Sequence, residues 1–496
     1  MLKNNRKWLI FFSTGIMIML VNLDMTIVNL ALASIASSLQ ATLNQMQWVI
    51  SSYLLATALS FTVFGRLADM HGRKKIFLLG VFLFTLGSLG CGLASNITAL
   101  VIMRFIQGLG FAAAFGLALV ITFNSFPTEQ RGMVTGMAVT ITGLSQTLGP
   151  TAGGIIVQHL SWSWVFWINV PLGILSLISA FWVVPADVAS NNNKQMSLYN
   201  VFSFVMGLAL VLYGLNQWTQ LNNINLTLCL ALGIFLLALF VHSSYKKSNP
   251  LINIALLTHK GFSILVAIRF LFMIFMGSLL FIMPLYLQNI LGYSAEDAGL
   301  ILLGMTIFVA LSSPIVGKTM DKQGFLLPVL ISLFLALLSC IAALFFPLTQ
   351  NLTPIFISLF FMGLAVGIHT PSTIHGVSKE APQKDAGTAI GLFFTMAMSG
   401  SVIGVALAGI FLEKFSKKML LTQLDGQYIS TQLLDAAAAT RSVFEVPLFL
   451  QNIVKESFMY AFHEFMFIIS ALLCGTIMLT LYLVHYHRKL KVKMVA

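Results

Sequence analysis

The segment GRLADMHG at residues 65–72 has a near copy, GKTMDKQG, at residues 317–324. A glycine, a basic residue, an aspartate and a second glycine fall at the same places in both, 252 residues apart. Each copy follows an apolar stretch of about 20 residues, the length that crosses about 30 Å of hydrocarbon as a helix. The copies therefore predict two related groups of membrane helices in one chain.

Beyond these copies the self-match continues at an offset of 255 residues. The matched positions are glycines and one threonine: Gly108, Gly132, Gly136, Thr140, Gly149 and Gly154 with Gly363, Gly387, Gly391, Thr395, Gly404 and Gly409. A duplicated unit of six helices explains this spacing. Transporters commonly bind substrate between such repeats near the middle of the bilayer and rock one repeat against the other.

The composition is that of an integral membrane protein. Of the 496 residues, 58% are hydrophobic and 8% are charged, whereas soluble domains carry about 25% charged residues. Hydropathy and length predict an all-α membrane fold of fourteen helices. These span residues 8–32, 45–64, 76–95, 98–124, 132–157, 165–184, 198–216, 225–245, 262–289, 298–317, 325–346, 353–374, 388–412 and 459–484.

The least apolar stretches divide the chain into three parts. Residues 1–190 are predicted to form an amino-terminal bundle of six helices, and residues 259–496 a carboxy-terminal bundle of six. Residues 191–258 hold an inserted pair of helices and a linker. Within the second bundle, residues 413–458 are predicted to form a long external loop.

Basic residues orient the predicted helices. Of the 27 lysines and arginines, 20 fall in alternate loops and the two tails, two lie inside helices, and five lie in the long loop on the other side. Because basic residues concentrate in cytoplasmic loops, both termini are predicted to be cytoplasmic. The net charge of +12 is spread in the same way, so it indicates membrane orientation and not nucleic-acid binding.

Six motifs follow one another in the first half of the chain: LDMTIVNLAL at 23–32, QWVISSYLL at 47–55, GRLADMHGRKK at 65–75, RFIQGLG at 104–110, GLSQTLGPTAGG at 143–154 and WSWVFWINVPLG at 162–173. In these motifs the chain resembles the major facilitator superfamily, and within it the fourteen-helix drug:proton antiporters. The resemblance implies two six-helix bundles with two inserted central helices. It also implies export of small amphipathic or toxic compounds by alternating access. Ala33 and Ser163 depart from the family pattern, which usually has proline and often arginine there.

Asp24 and Arg104 are the candidates for proton coupling. A charge in the middle of a membrane is costly and by default functional. At a rise of about 1.5 Å per residue, both residues fall in the outer half of their helices. Burial and a neighbouring arginine act in opposite directions on the protonation of a carboxylate, so the pair suits proton exchange. The alternative is a structural ion pair that never titrates. The resemblance implies the coupling role for both residues.

The motif at 65–75 is the candidate gating loop. Gly65 and Gly72 permit a tight turn, and the basic residues after them anchor the inner face of the protein. The resemblance implies that Asp69 and Arg73 latch the two halves together on the cytoplasmic side. The alternative is a loop that serves orientation alone.

The motif at 143–154 bears on the direction of transport. Its glycines allow close helix contacts and its proline kinks the helix, so close packing alone would explain it. The resemblance associates the motif with export by antiport and not with uptake. Its candidate residues are Gly143, Gly149, Pro150, Gly153 and Gly154.

Arg269 and His369 are the candidates for a substrate cavity. Arg269 lies about 10 Å inside its helix, close enough for its side chain to snorkel to the interface, which is the alternative explanation. His369 has a ring that titrates near neutral pH. Its alternative is a polar contact with a neighbouring helix.

The sequence contains no nucleotide-binding loop, glycine-rich phosphate motif or metal-ligand cluster. We therefore expect neither an enzyme nor an ATP-driven pump, no cofactor apart from protons as the coupling ion, and no nucleic-acid partner. The expected partners are a small-molecule substrate and the lipid bilayer of the plasma (bacterial inner) membrane, and the chain is expected to be a monomer. A periplasmic adaptor is not determined. Three other interpretations stay open: a dedicated exporter of one metabolite such as a siderophore, a non-transporting sensor or channel, and uptake by symport.

Overall fold

The computed structural model describes residues 2–40, 43–186, 197–216, 223–246, 251–252, 254–349, 351–382, 385–423 and 448–495. Within these ranges the chain is helical and contains no β-strand. The first seven long helices are α1 Leu2–Leu39, α2 Leu43–His71, α3 Arg73–Gly92, α4 Ile97–Ser125, α5 Arg131–His159, α6 in two pieces, Trp164–Trp167 and Asn169–Val183, and α7 Leu198–Asn216. The other seven are α8 Asn223–Lys246, α9 Lys260–Leu285, α10 Ala295–Gln323, α11 Leu326–Ala343, α12 Thr353–Glu380, α13 Ala386–Gln423 and α14 Leu448–Val495. The fourteen helices follow in the predicted order.

Two helices extend well beyond the predicted boundaries. Helix α13 continues to Gln423 and α14 begins at Leu448, so part of the predicted external loop 413–458 is helical. Residues 424–447 lie outside the described part of the chain. Hydropathy finds only the apolar centre of such a helix. The added turns carry lysine, glutamate and leucine, which favour helix without being apolar enough to register as a membrane span.

Thirteen of the described helices are long and apolar enough to cross a membrane. The remaining predicted crossing is α5, which is rich in glycine, threonine and serine. Its hydroxyls at Thr142 and Ser145 donate to carbonyl oxygens one turn earlier in the same helix. It packs along α1 on one side and α10 on the other, so flanking helices and its own backbone accommodate the polar side chains.

The duplication predicted from sequence is visible in the helix contacts inside each half. A Cβ atom added to Gly108 of α4 would overlap the carbonyl region of Tyr53 in α2. A Cβ atom added to Gly363 of α12 would meet Met305 of α10 in the same way. The two pairs are related by the offsets of 255 and 252 residues. Both halves therefore keep glycine where two helices approach most closely.

The chain turns at the end of the second helix of each half in the same manner. Gly72 follows α2 with a φ of 98°, and Gly324 follows α10 with a φ of 82°. Residues other than glycine rarely adopt this left-handed region. The second glycine of each motif copy is therefore required by the backbone.

The two halves meet through contacts that obey the same two-fold relation. The close pairs are Gly65 with Gly387, Gly317 with Gly132, Gly391 with Phe61, and Gly136 with Ser313. In each pair a Cβ atom on the first residue would overlap the carbonyl oxygen of the second. All lie toward the end of the bundle that carries residues 65–75 and 128–132, which we call the basic face. The halves are therefore tightly closed against each other at this face.

The inserted helices α7 and α8 pack on each other and lie beside the seam between the halves. Helix α7 touches both α2 and α13. The rings of Trp48 in α2 and Tyr213 in α7 stack at 6.1 Å between centroids. An apolar groove next to this stack is also lined by Leu54, Leu212 and Val402. The pair thus leaves the contacts between the two six-helix bundles intact.

Candidate transport site

Asp24 of α1 and Arg104 of α4 form an enclosed ion pair. The Nη1 atom of Arg104 donates to Oδ2 of Asp24 at 2.6 Å, and the two side chains are 2% and 0% exposed. The second carboxylate oxygen, Oδ1, accepts hydrogen bonds from Nε2 of Gln107 and Nδ2 of Asn169, each at 2.9 Å. Three donors from α4 and α6 therefore hold one carboxylate of α1.

Arg104 is equally well satisfied. Its Nη1 also donates to Oε1 of Gln107 at 2.7 Å, and its Nε donates to the carbonyl oxygen of Val49 at 3.2 Å. The guanidinium lies 4.1 Å from the ring centre of Tyr53 and 5.8 Å from that of Phe166. A buried charge pair persists when its geometry is good and its remaining polar atoms are hydrogen-bonded, and both conditions hold here.

Sequence reasoning predicted Asp24 and Arg104 but gave no role to Gln107 or Asn169. Both belong to motifs quoted above, RFIQGLG and WSWVFWINVPLG. The spacing of Arg104 and Gln107, three residues apart on one helix face, was an available signal. Asn169 had none, because it begins the second piece of α6 after the break at Ile168, a feature of the tertiary fold.

The candidate antiporter motif of α5 packs against α1 next to Asp24. A Cβ atom on Gly149 would overlap the Thr26 hydroxyl, and a Cβ atom on Gly153 would lie 2.8 Å from the carbonyl oxygen of Ile27. Thr26 and Ile27 follow Asp24 by two and three residues. Any change in how α1 sits against α5 therefore reaches the turn that carries the carboxylate.

The first glycine of the motif faces the other half of the molecule. A Cβ atom on Gly143 would lie 3.2 Å from Val309 of α10. Pro150 and Gly154 belong to α5 as predicted, and their surroundings lie outside the described side chains. Helix α5 thus contacts α1, the helix that carries Asp24, and α10 of the opposing bundle.

Asp69 joins the two halves at the basic face. Its carboxylate accepts from the backbone N–H groups of Gly387 and Thr388 at 2.9 and 2.7 Å, and from the Thr388 hydroxyl at 2.8 Å. Because α13 begins at Ala386, these N–H groups are unpaired amides of a helix amino terminus, where a negative charge is stabilising. Asp69 of the first half therefore caps a helix of the second.

Basic side chains surround this cap. An Nη2 atom of Arg73 lies 3.8 Å from Asp69, and Nη1 of Arg66 lies 3.8 Å from the carboxylate of Asp385. The predicted gating residues Asp69 and Arg73 are thus in contact. Sequence reasoning missed Arg66, Asp385 and Thr388, because their partners are more than 300 residues away along the chain.

Arg269 of α9 is enclosed but almost unpartnered. It is 6% exposed, and its described hydrogen bond runs from Nη1 to the hydroxyl of Thr370 in α12 at 3.1 Å. Its guanidinium lies 5.5 Å from the ring centre of Phe393, and its buried Nε atom has no partner. Among the described side chains no carboxylate forms a salt bridge with it. The snorkelling explanation is wrong, because the guanidinium stays inside the protein.

His369 lies in the same region as Arg269. Its Nδ1 atom is 3.0 Å from the hydroxyl of Ser332 in α11, and its ring stacks on Phe272 of α9 at 3.7 Å. The side chain is fully buried, and its Nε2 atom has no partner. In α12, His369 directly precedes Thr370, which is the hydrogen-bond partner of Arg269. The structure therefore places the two candidate cavity residues close together.

A chain of aromatic rings runs between the two buried arginines. In order it comprises Tyr53, Phe111, Phe61, Phe394 and Phe393, with successive ring centres 5.8, 5.6, 5.3 and 5.2 Å apart. Arg104 faces the first ring and Arg269 the last. The chain crosses the seam between the halves at the stacked pair of Phe61 and Phe394. Sequence alone could not single out these rings among 41 phenylalanines.

Residues 14–405 match the family model described as Major Facilitator Superfamily. The chain belongs to this superfamily. It is 29% identical over 429 residues to Multidrug resistance protein Stp of Mycobacterium tuberculosis, covering 85% of this chain and 79% of that protein. It is 26% identical to Riboflavin transporter RibZ of Clostridioides difficile, covering 82% and 88%.

The fold agrees with this assignment. The crystal structure of the human organic anion transporter MFSD10 superposes with a TM-score of 0.64 at 12% identity, covering 96% of this chain and 99% of that one. At so low an identity the likeness concerns the fold alone. The chain is therefore a multi-pass membrane transporter of the major facilitator superfamily and not an enzyme.

Proposed function

We propose that this transporter exports small amphipathic or toxic compounds across the bacterial inner membrane in exchange for protons. The basic face and both termini then lie in the cytoplasm. The observation that carries the proposal is the enclosed carboxylate of Asp24, held by Arg104 and packed beside the glycines of α5. The names of relatives such as the multidrug resistance protein support efflux as the direction.

Protonation of Asp24 would change the forces that hold α1. A neutral carboxyl loses its charge attraction to Arg104, and one of its oxygens becomes a donor where the surrounding side chains of Gln107 and Asn169 also donate. The cluster then favours another arrangement of α1. Because Gly149 and Gly153 of α5 touch the next turn of α1, that rearrangement reaches the seam between the halves.

The proton gradient supplies enough energy for this exchange. One proton moving across 100 mV and one pH unit releases about 2.3 plus 1.4 kcal/mol. At about 1.4 kcal/mol for each tenfold concentration ratio, this sustains a substrate gradient of several hundredfold. One titrating carboxylate is therefore sufficient.

Asp69 and Arg73 serve as the cytoplasmic latch in this proposal. The cap that Asp69 places on α13 holds the basic face closed while substrate leaves on the opposite side. Opening that face to load substrate breaks the charge-assisted bonds to Gly387 and Thr388. The latch thus gives the closed state a defined energetic advantage that substrate and protons overcome.

A dedicated exporter of one metabolite is the second candidate. The relative named riboflavin transporter supports it, because a protein of similar length and sequence bears the name of a single compound. The buried cation Arg269 supports it too, because it has no counter-charge among the described side chains and would favour ligands of opposite charge. The export mechanism is the same in both cases.

The test uses purified protein in proteoliposomes. A compound to which cells producing the chain become resistant serves as the substrate. We expect Asp24→Asn to abolish transport driven by a pH gradient while substrate exchange without a gradient continues. The exposed Glu129→Gln variant, which also removes one carboxylate, is the control and should transport normally. Gradient-driven transport by Asp24→Asn at the wild-type rate would remove Asp24 from the proton path, and flux without saturation or counterflow would indicate a channel.

A further inference from the structure

The environment of Arg269 is incomplete in a way that a ligand would complete. Its guanidinium has five N–H donors, and the described side chains provide one hydroxyl acceptor, that of Thr370. The Nε atom is buried without a partner, and no described carboxylate lies within salt-bridge distance. A buried charge is normally paired or hydrogen-bonded throughout. Arg269 departs from this rule, because no described side chain provides its counter-ion.

The same protein shows what a self-sufficient buried arginine requires. Arg104 has a carboxylate and a backbone carbonyl from neighbouring helices and an amide oxygen from its own helix as acceptors. Both arginines stand against aromatic rings and both are enclosed. The missing element at Arg269 is therefore an anion, which the described residues of the second half do not contribute.

The position of Arg269 is suited to a transported ligand. Helices α9 and α12 of the second half correspond to α1 and α4 of the first, the pair that carries Asp24 and Arg104. Arg269 faces Phe393 of α13, and the adjacent Phe394 packs on Phe61 and Phe115 of the opposite half. The site is therefore one aromatic residue away from the seam where the halves separate.

The surroundings also specify what accompanies the negative charge. The aromatic rings of Phe393, Phe394 and Phe61 form an apolar surface that extends from the guanidinium toward the seam. His369, the residue before Thr370 in α12, adds a second buried nitrogen without a partner. A ligand with an acidic group at one end and a flat apolar body matches both features.

We propose that Arg269 binds the carboxylate or another acidic group of an organic anion, whose apolar body lies against Phe393 and Phe394. The proposal rests on the export function above and deepens it by naming the chemical class of the substrate. Arg269 is enclosed by protein, so the headgroup of a membrane lipid does not reach it. Thr370 orients the guanidinium, and the ligand provides the counter-charge when the halves open.

Three probes that share one ring system separate charge from shape. They are 2-naphthoate, 2-naphthamide and 2-naphthamidine, which carry a negative, a neutral and a positive group on naphthalene. Equilibrium binding is measured on the full chain in lipid nanodiscs, without a pH gradient. We expect 2-naphthoate to bind at least tenfold more tightly than the amide, and the amidine to bind least.

Variants of Arg269 assign the preference to this residue. Arg269→Gln should bring the affinity for naphthoate down to that for the amide while amide binding stays within twofold of wild type. Arg269→Lys keeps the charge but loses the forked geometry, so an intermediate preference is expected. Arg6→Gln removes an exposed arginine elsewhere and should keep the full preference. Unchanged amide binding shows that each variant is folded.

Phe393→Leu tests the apolar part of the site. It should weaken all three probes by a similar factor, because the ring contacts the shared naphthalene. Wild-type protein that binds naphthoate no more tightly than the amide overturns the proposal. Retention of the preference in Arg269→Gln overturns it as well.

The binding experiment and the proton-coupling proposal can be contradicted separately. The binding measurements use no gradient and leave Asp24 unchanged, so their outcome does not depend on proton coupling. Suppose that naphthoate is preferred through Arg269 but that Asp24→Asn does not change gradient-driven transport. This outcome would contradict the proton-coupling role of Asp24 and leave the anion site standing. If gradient-driven transport depends on Asp24 but the protein shows no preference for naphthoate, only the anion-site proposal is contradicted.

Discussion

The two buried arginines of this transporter have opposite environments. Arg104 in the first half is held by Asp24, Gln107 and a backbone carbonyl, and its charge is balanced inside the protein. Arg269 in the second half has one hydroxyl partner and no described counter-charge. The same residue type in the same kind of enclosure is thus charge-balanced in one half and, among the described side chains, without a counter-charge in the other.

The comparison shows what duplication preserved and what it did not. Glycines that set helix contacts recur at offsets of 252 and 255 residues, and Gly108 and Gly363 meet partners at corresponding positions, Tyr53 and Met305. The residues 255 positions after Arg104 and Gln107 are Leu359 and Met362, both buried in the apolar core. Packing geometry is therefore shared between the halves, while the polar residues differ: by our proposals they form a proton site in one half and an anion site in the other.

The largest expected effect concerns stability. Arg104→Leu should destabilise the protein by about 3–5 kcal/mol, because it leaves Asp24 as an uncompensated buried charge. Arg269→Leu should be neutral or stabilising, since it removes a buried charge that has no counter-charge among the described side chains. Thermal unfolding of the purified variants measures both. Equal losses in the two variants would mean that Arg269 has a counter-ion and that the contrast between the halves is false.

Pairwise coupling sharpens the contrast. A double-mutant cycle on Asp24→Asn and Arg104→Gln should give a coupling free energy at the upper end of the usual 0.5–3 kcal/mol for contacting residues. The equivalent cycle on Thr370→Val and Arg269→Gln should stay near 1 kcal/mol, the net value of one hydrogen bond. Unfolding free energies measure both cycles. A larger coupling free energy for the second pair would contradict the description of Arg269 as a charge held by a single hydrogen bond.

A carboxylate introduced beside Arg269 should make the second half resemble the first. Thr370→Asp places an acidic group at the position that now offers a hydroxyl. We expect a higher melting temperature and at least a tenfold loss of 2-naphthoate affinity, which is about 1.4 kcal/mol, because the site is neutralised internally. Thr370→Asn is the matched control of equal size and no charge. Unaltered naphthoate binding in Thr370→Asp would separate the anion site from Arg269.

The smallest effect is expected at the contact that joins the halves. Asp69→Asn removes the charge and keeps only one oxygen acceptor, so it loses at least one of the three bonds to α13, at about 0.5–1.5 kcal/mol. The basic face should then open more often, and maleimide labelling of Ser378→Cys, which lines the small space between α4, α12 and α13, should be up to about tenfold faster. Thr388→Val removes one of three bonds and should show a smaller increase. If Ser378→Cys is labelled at the same rate with and without Asp69→Asn, the latch hypothesis is wrong.

Much of the fold followed from periodic features of the sequence. The fourteen apolar segments, their order and the duplicated glycine pattern were all predicted, because a membrane helix must satisfy its backbone within itself and therefore needs a continuous apolar segment. The polar ends of α13 and α14 were not predicted, since outside the bilayer that constraint no longer applies. The pairing of Asp24 with Arg104 could be inferred from depth, because two costly charges at one level of the membrane have reason to meet.

The amino-acid sequence by itself determined the class of protein, the number of helices, the internal repeat and the identity of the charged residues in the membrane. Only the tertiary structure decided that Gln107 and Asn169 complete the site of Asp24, that Asp69 caps α13, and that Arg269 is enclosed with no counter-charge among the described side chains. The physical reason is that hydrophobic length and glycine spacing are local properties of a helix. Whether a buried charge is neutralised depends on side chains from helices far apart in the chain, and those meet only when the bundle is assembled.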